Sequence, residues 1–146
     1  MTNEPQYESA RERGEQGERD LATLIASMSP TLDPTCWCFA VVTPAEHAAL
    51  ADIALGSFKE AEGMTLIVPW EGAEMLANKS EPMARITLEV HSSLEAVGLT
   101  AAVSVALTEA QVSANVVAGY FHDHIFVPFD LGQTALACLE RLSSKQ

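Results

Sequence analysis

The chain has 146 residues, 48% of them hydrophobic, enough for one compact body or two small fused units. Its 20 acidic residues outnumber 8 basic ones, for a formal net charge of −12. That leaves no electrostatic footprint for nucleic acid or for an anionic membrane. No apolar run approaches the roughly 20 residues that span a bilayer, and the amino terminus is polar where a secretory leader needs an apolar stretch. Three cysteines, Cys36, Cys38 and Cys138, form an odd set, two of them one residue apart. This points to a reducing compartment, and a cytoplasmic location is expected.

In chain order, residues 1–19 read as a flexible acidic tail, with five Glu among three Arg and almost nothing to bury. Leu21, Leu24, Ile25 and Met28 then recur at helical spacing behind Asp20 as a cap, with Pro30 as the stop. Cys36 to Val42 is an apolar, β-branched and aromatic run, predicted to be a buried strand bounded by Asp33-Pro34 and Thr43-Pro44. Thr43, Pro44 and Glu46 open a helix through a capping box with proline at its first position. Glu62-Gly63 marks a hairpin between strands at 58–60 and 64–68, and Glu71 to Asn78 is compatible with a second helix.

The order then repeats. Ala84 to Val90 alternates apolar and polar residues, as a strand with one wet face does. Ser92 and Glu95 suggest a second capping box, heading a long helix over residues 93–110. Strands are expected at 112–119 and 125–129, separated by His122-Asp123-His124, with a closing helix at 131–142. Thr-Leu-Ile-Val-Pro-Trp at 65–70 matches His-Ile-Phe-Val-Pro-Phe at 124–129. The cap-to-proline distance is 26 residues from Thr43 to Pro69 but 36 from Ser92 to Pro128, so the second unit's helix is longer by about three turns.

A β-α-β-β-α order given twice implies an α+β, ferredoxin-like architecture: tandem units with antiparallel sheets and helices on one face. The units divide at residues 20–82 and 83–146. Six strands are counted where two complete units need eight, so some sheet edges must be completed by the other unit or by another chain, which favours homo-oligomerisation. The 21–28 helix could cover a further edge.

The runs His91 to Ser104, Asn115 to Pro128 and Glu62 to Pro69 resemble a bacterial family of small proteins built from tandem ACT-like domains. The second half is also similar to the ACT units of aspartokinases and of the animal cytosolic arginine sensors, without a gap from Val97-Gly98 to Asp123-His124. This resemblance implies a non-catalytic regulatory protein. It would hold a small molecule, an amino acid, at an interface between ACT units and act through a homodimer or higher oligomer. The implied ligand-binding residues are Ser92, Ser93 and Leu94 before the long helix, then Val97, Gly98 and Leu99, and Asp123. Glu62 and Gly63 would line the interface, and Asn115 is a further candidate. Ala96 stands where the arginine sensors carry an acid, which argues against arginine.

Elementary chemistry supports the same places. Free amides at a helix start suit a carboxylate, Gly98 permits close approach, and the Asp123 carboxylate can accept from an ammonium group. Each residue also has a plain structural reading: Ser92 and Glu95 as caps, Asp123 as a turn residue, Gly98 as a packing position, Asn115 as a strand polar group. A second functional reading is a constitutive assembly module without a ligand. A third is a metal-dependent enzyme using His122, Asp123 and His124, although neither that run nor Cys36 with Cys38 has common zinc spacing. No catalytic, phosphate-loop or dinucleotide motif is present, so no cofactor, metal or enzymatic activity is expected.

Overall fold

The computed structural model describes residues 20–90 and 96–145. The tail at 1–19, His91 and the Ser92, Ser93, Leu94 and Glu95 segment with its expected capping box lie outside the described residues. The chain runs α1 (Leu21–Ser27), β1 (Pro30–Val42), α2 (Pro44–Leu50), β2 (Gly56–Lys59), β3 (Met64–Pro69) and β4 (Met83–Leu88). It continues through α3 (Leu99–Glu109), β5 (Asn115–Ala118), β6 (Asp123–Pro128) and α4 (Gly132–Ser144). Local chemistry sets the starts of α1 and α2 as expected, whereas α3, expected over 93–110, begins only at Leu99. Asp20 accepts from the Thr23 amide at 2.9 Å, and Thr43 and Glu46 form the reciprocal capping box.

All six strands join one antiparallel sheet in the order β2-β3-β1-β4-β6-β5. Within it, β2-β3-β1-β4 is one ferredoxin-like unit, and β5-β6-β4-β1 is the same arrangement again. The two central strands are therefore each used twice, and eight strand positions are filled by six strands. Of the two expected ways to complete the sheets, by the other unit or by another chain, the first holds: the sharing is reciprocal and internal. Among the described residues, the outer edges of β2 and β5 carry no further strand.

The double use explains why β1 is longer than the sequence suggests. Its second half, Trp37 to Val42, pairs with β3, and its first half, Pro30 to Trp37, pairs with β4. Asp33-Pro34 is thus not a strand boundary but part of a bulge, where the register steps from Leu32 opposite Ile86 to Cys36 opposite Ala84. Asp33 pins it. One carboxylate oxygen accepts from the Thr35 amide at 2.8 Å; the other accepts from the Trp37 indole at 3.0 Å and from Arg85 Nη2 on β4 at 2.7 Å. The Arg85 guanidinium also lies 5.3 Å from the Trp37 ring centre.

Two further expectations are corrected. The stretch at 71–78 forms only a single 3-10 turn, Trp70–Ala73. Its backbone is used otherwise: the Val41 amide donates to the Asn78 carbonyl and the Ser80 amide to the Phe39 carbonyl, extending the line of β4 beside β1. Helix α1 covers no sheet edge; Leu24, Ile25 and Met28 are buried in the core under α3 and α4.

That core joins Ile86, Leu88, Ile125 and Val127 of the sheet to Leu99, Val103 and Leu107 of α3 and Ala135, Cys138 and Leu139 of α4. A smaller one, with Cys38, Ala40, Val42, Leu66 and Val68, lies under α2 and the 3-10 turn. Cys36 and Cys38 face this helix-covered side, and burial pushes both thiols above 9.0. The three cysteines are free thiols.

Burial alone would raise the Asp33 carboxyl, but hydrogen bonds from Thr35, Trp37 and Arg85, with the Arg85 charge, outweigh it and hold the group below 3.8. A lowered folded value means that the stabilisation is present above pH 3.8 and is lost as pH falls through the lowered value. Asp33→Ala leaves a half-buried guanidinium and an indole N–H unpartnered, at a cost of about 1–3 kcal/mol. Thermal unfolding at neutral pH should show that loss, and the gap between variant and wild type should close on acidification; a gap independent of pH would refute the assignment.

Candidate functional site

Strand β4 ends at Leu88, which lies opposite Asp123 at the start of β6, and Asp123 in turn lies opposite Ala118 at the end of β5. The chain leaving β4 returns as α3, whose residues Leu99 and Val103 share the core with Leu88. The head of α3, Asp123 and the β5–β6 turn thus gather at one end of the sheet. Because side chains alternate along a strand, Asp123 shares the helix-covered face with Leu88 and Ile125. Its neighbour His124 points to the other face, where Nδ1 lies 3.0 Å from Thr87 Oγ1.

The N-cap of α3 is Gly98, at φ 104°, and it offers no side chain to the helix. The first helical bond runs from the Ala102 amide to the Gly98 carbonyl, 2.9 Å, so the amides of Leu99, Thr100 and Ala101 have no intrahelical acceptor. They carry the positive end of the helix dipole. Asp123 is half-buried; burial pushes its carboxyl above 3.8, opposed by His124 and His122. His124 is pushed below 6.5, first by burial and then by the charges of Arg85 and His122. The His122 ring nitrogen Nδ1 lies 3.4 Å from the Val90 carbonyl, which ties the turn to the chain leaving β4.

Of the residues singled out from sequence, Val97, Gly98, Leu99 and Asp123 come to this end. Val97 is 82% exposed, whereas the Leu99 side chain is buried, leaving only its amide to offer. Gly98 is close-packed: a Cβ there would stand 2.9 Å from Leu21 Cδ2 of α1, so the approach that the glycine permits is made by Leu21. Asn115 pairs opposite Phe126 and shares its face, away from Asp123. Glu62 and Gly63 are remote. They precede Met64, which is level with Val42 at one end of β1, while Asp123 and Leu88 are level with Pro30 at the other. At about 3.3 Å per residue that is roughly 40 Å, bridgeable only between copies. His122, Asp123 and His124 do not converge as a metal site, since alternation splits Asp123 from His124. Among the described residues no three His, Cys, Asp or Glu side chains gather as metal ligands.

Two features escaped the sequence reading: the seat of Leu21 over Gly98, and the Asp33, Trp37 and Arg85 cluster. The first left no local signal. The second was signalled by an acid and an arginine at positions otherwise read as a boundary and a wet strand face. A cleft of about 270 Å³ also opens between the C-terminal halves of α3 and α4, lined by Ala106, Glu109, Cys138, Arg141 and Lys145. It lies at the opposite end of α3 from Asp123, where helix carbonyls repel a carboxylate and cations serve the helix dipoles. Gly98→Ala should destabilise the fold by about 1–2 kcal/mol through positive φ and contact with Leu21; Leu21→Ala in the same chain should relieve the contact part, as a double-mutant cycle by thermal unfolding would read.

Two ACT-domain family models match the chain, over residues 16–85 and 82–141. No curated protein sequence matches it significantly. Among solved structures, a Vibrio cholerae protein of unknown function, described as a possible transport protein, is 42% identical, with 84% of this chain and 95% of that one covered and a TM-score of 0.74. The regulatory subunit of aspartate kinase from Thermus thermophilus shares the fold at 12% identity, covering 80% and 97%, with a TM-score of 0.61. Aspartokinase alpha and beta subunits share it at 10% identity, covering 82% and 99%, at 0.59. No helix among the described residues is long and apolar enough to cross a membrane. ACT units are regulatory, ligand-binding and non-catalytic as a class, and this chain, with two of them in tandem on one sheet, belongs to the ACT-domain family.

Proposed function

We propose that this protein is a regulatory amino-acid sensor whose ligand lies between the head of α3 and Asp123, and that binding acts through self-association. One observation carries the reading: a helix start whose Gly98 cap offers no side chain and a half-buried carboxylate share one face and one end of the sheet. The first suits the carboxylate of a zwitterion and the second its ammonium group. Ser92, Ser93 and Leu94 belong to the same segment by sequence. Exposed Val97, and Tyr120 and Phe121 in the β5–β6 turn, supply an apolar rim to the site, and Glu62 and Gly63 could reach it only from a second copy. A ligand acts on assembly only as far as it binds the two states differently.

The seat of Leu21 over Gly98 favours a second reading, a constitutive assembly module whose helix head is occupied by its own chain. Catalysis is not proposed, because the Asp123 and His124 side chains diverge. The two readings separate in a thermal-shift screen of the twenty amino acids, because a ligand that binds the native state alone adds stability as the logarithm of its concentration relative to Kd.

Asp123→Asn should abolish the response to any stabilising amino acid. At neutral pH it should also raise the melting temperature of the ligand-free protein. The sign follows from the raised carboxyl: ionisation costs nothing below pH 3.8 and the cost develops as pH rises through the folded value, so removing the charge removes the cost. A retained response would place the site elsewhere, and a flat screen of the wild type would leave the assembly reading.

A further inference from the structure

The helices cover one face of the sheet, and register fixes what lies on the other. Val41, Thr65 and Phe58 form one row across β1, β3 and β2, and Phe39, Ile67 and Gly56 form the next. Trp37, Met83, Arg85, Thr87, His124, Phe126 and Val117 continue the face. A sheet with one wetted side alternates apolar and polar residues. Here the outer side of the first unit is apolar instead. Trp37, Ile67 and Phe126 are buried against one another with Phe39, Met83 and Val117, making a third core over which no described helix lies. Phe39 and Phe126 meet edge to face with ring centres 5.1 Å apart. At the margin of this cluster Phe58 is 71% and Val41 48% exposed.

We infer that this face, which none of the described helices covers, is an interface between two copies of the chain, packed sheet to sheet about a two-fold axis. The inference rests on the self-assembly part of the reading above and names the surface. Charge selects the occupant. The chain carries −12, so two copies repel wherever their surfaces are acidic. On this face the Asp33 carboxylate and the Arg85 guanidinium neutralise each other at 2.7 Å, and the Glu60 carboxylate at the rim is held by Thr65 at 2.6 Å. The face offers no excess of cations for an anionic membrane. The amino-terminal 19 residues hold only Met1, Tyr7 and Ala10 as apolar side chains, too few to cover it. Size agrees: six strands about 4.8 Å apart and about 20 Å long present roughly 600 Å² of plane per copy. That plane is of the same order as the roughly 800 Å² per partner of a stable interface.

Phe58→Glu and Val41→Lys place charges at exposed positions of this face, where the monomer fold is spared. Light scattering across micromolar to sub-millimolar concentrations should show the wild type as a dimer. Each variant should weaken the dimer about tenfold or more while circular dichroism stays that of the wild type. Variants that keep the wild-type dimer overturn the sheet-to-sheet interface and leave assembly to another surface, such as the outer edges of β2 or β5. A wild type that is monomeric throughout overturns it also and leaves the face to a foreign partner. The amino-acid thermal shift is read in parallel on the same samples. Its absence in a dimeric wild type fails the ligand reading alone, and its persistence in a monomeric variant shows that site and interface are separate.

Discussion

Everything in this fold depends on two central strands that each serve two units. A ferredoxin-like unit needs four strands, and each unit here takes its fourth from the first strand of the other. Neither half therefore has a complete sheet without its neighbour. The cost of that arrangement is a strand long enough to run beside β4 and then beside β3, and a bulge that adjusts the register where one unit gives way to the next. The Asp33 carboxylate holds that bulge by three donors from two strands, with an indole and a guanidinium among them. Bulges of this kind re-aim side chains and sharpen twist, and here one sits at the seam of the molecule.

The same sharing places the candidate site. Because β4 is central, its end lies beside both the start of β6 and the loop that becomes α3, so an acid and a helix head meet on one side of the sheet. The environments of the two are complementary in sign. A half-buried carboxylate that ionises at a cost suits an ammonium group, and amides without intrahelical acceptors suit a carboxylate. In the first unit the corresponding end holds a short helix whose start is already closed by Thr43 and Glu46. The capping box there satisfies the Glu46 and Thr43 amides within the chain, whereas the head of α3 has no side chain at its cap.

The two faces of the sheet also divide the work. The helix-covered face carries the large core and Asp123; the opposite face carries an aromatic cluster around a neutral ion pair. An oligomer built on that opposite face would leave the helix side free to respond to a ligand, with Phe126 beneath the cluster and Ile125 beside it in the core as the nearest mechanical link between them.

The sequence by itself determined the elements whose signals are local. Asp20 and the Thr43, Pro44 and Glu46 box start helices because side chains within three residues satisfy free amides. The 84–90 strand shows its faces by alternation, and the match of 65–70 with 124–129 shows the repeat. The resemblance carried by residues 91–104 and 115–128 supplied the family and the candidate residues. What only the tertiary structure decided depends on partners distant in the chain. Asp33-Pro34 looks like a strand end until Arg85, 52 residues on, shows it to be a bulge. Residues 71–78 have helical composition, yet their backbone groups are drawn to Phe39 and Val41. Glu62 and Asn115 were grouped with Asp123 by family pattern, but pairing register sends one to the far end of the sheet and the other to its opposite face. Register is a property of paired strands, so no reading of one strand alone could have supplied it.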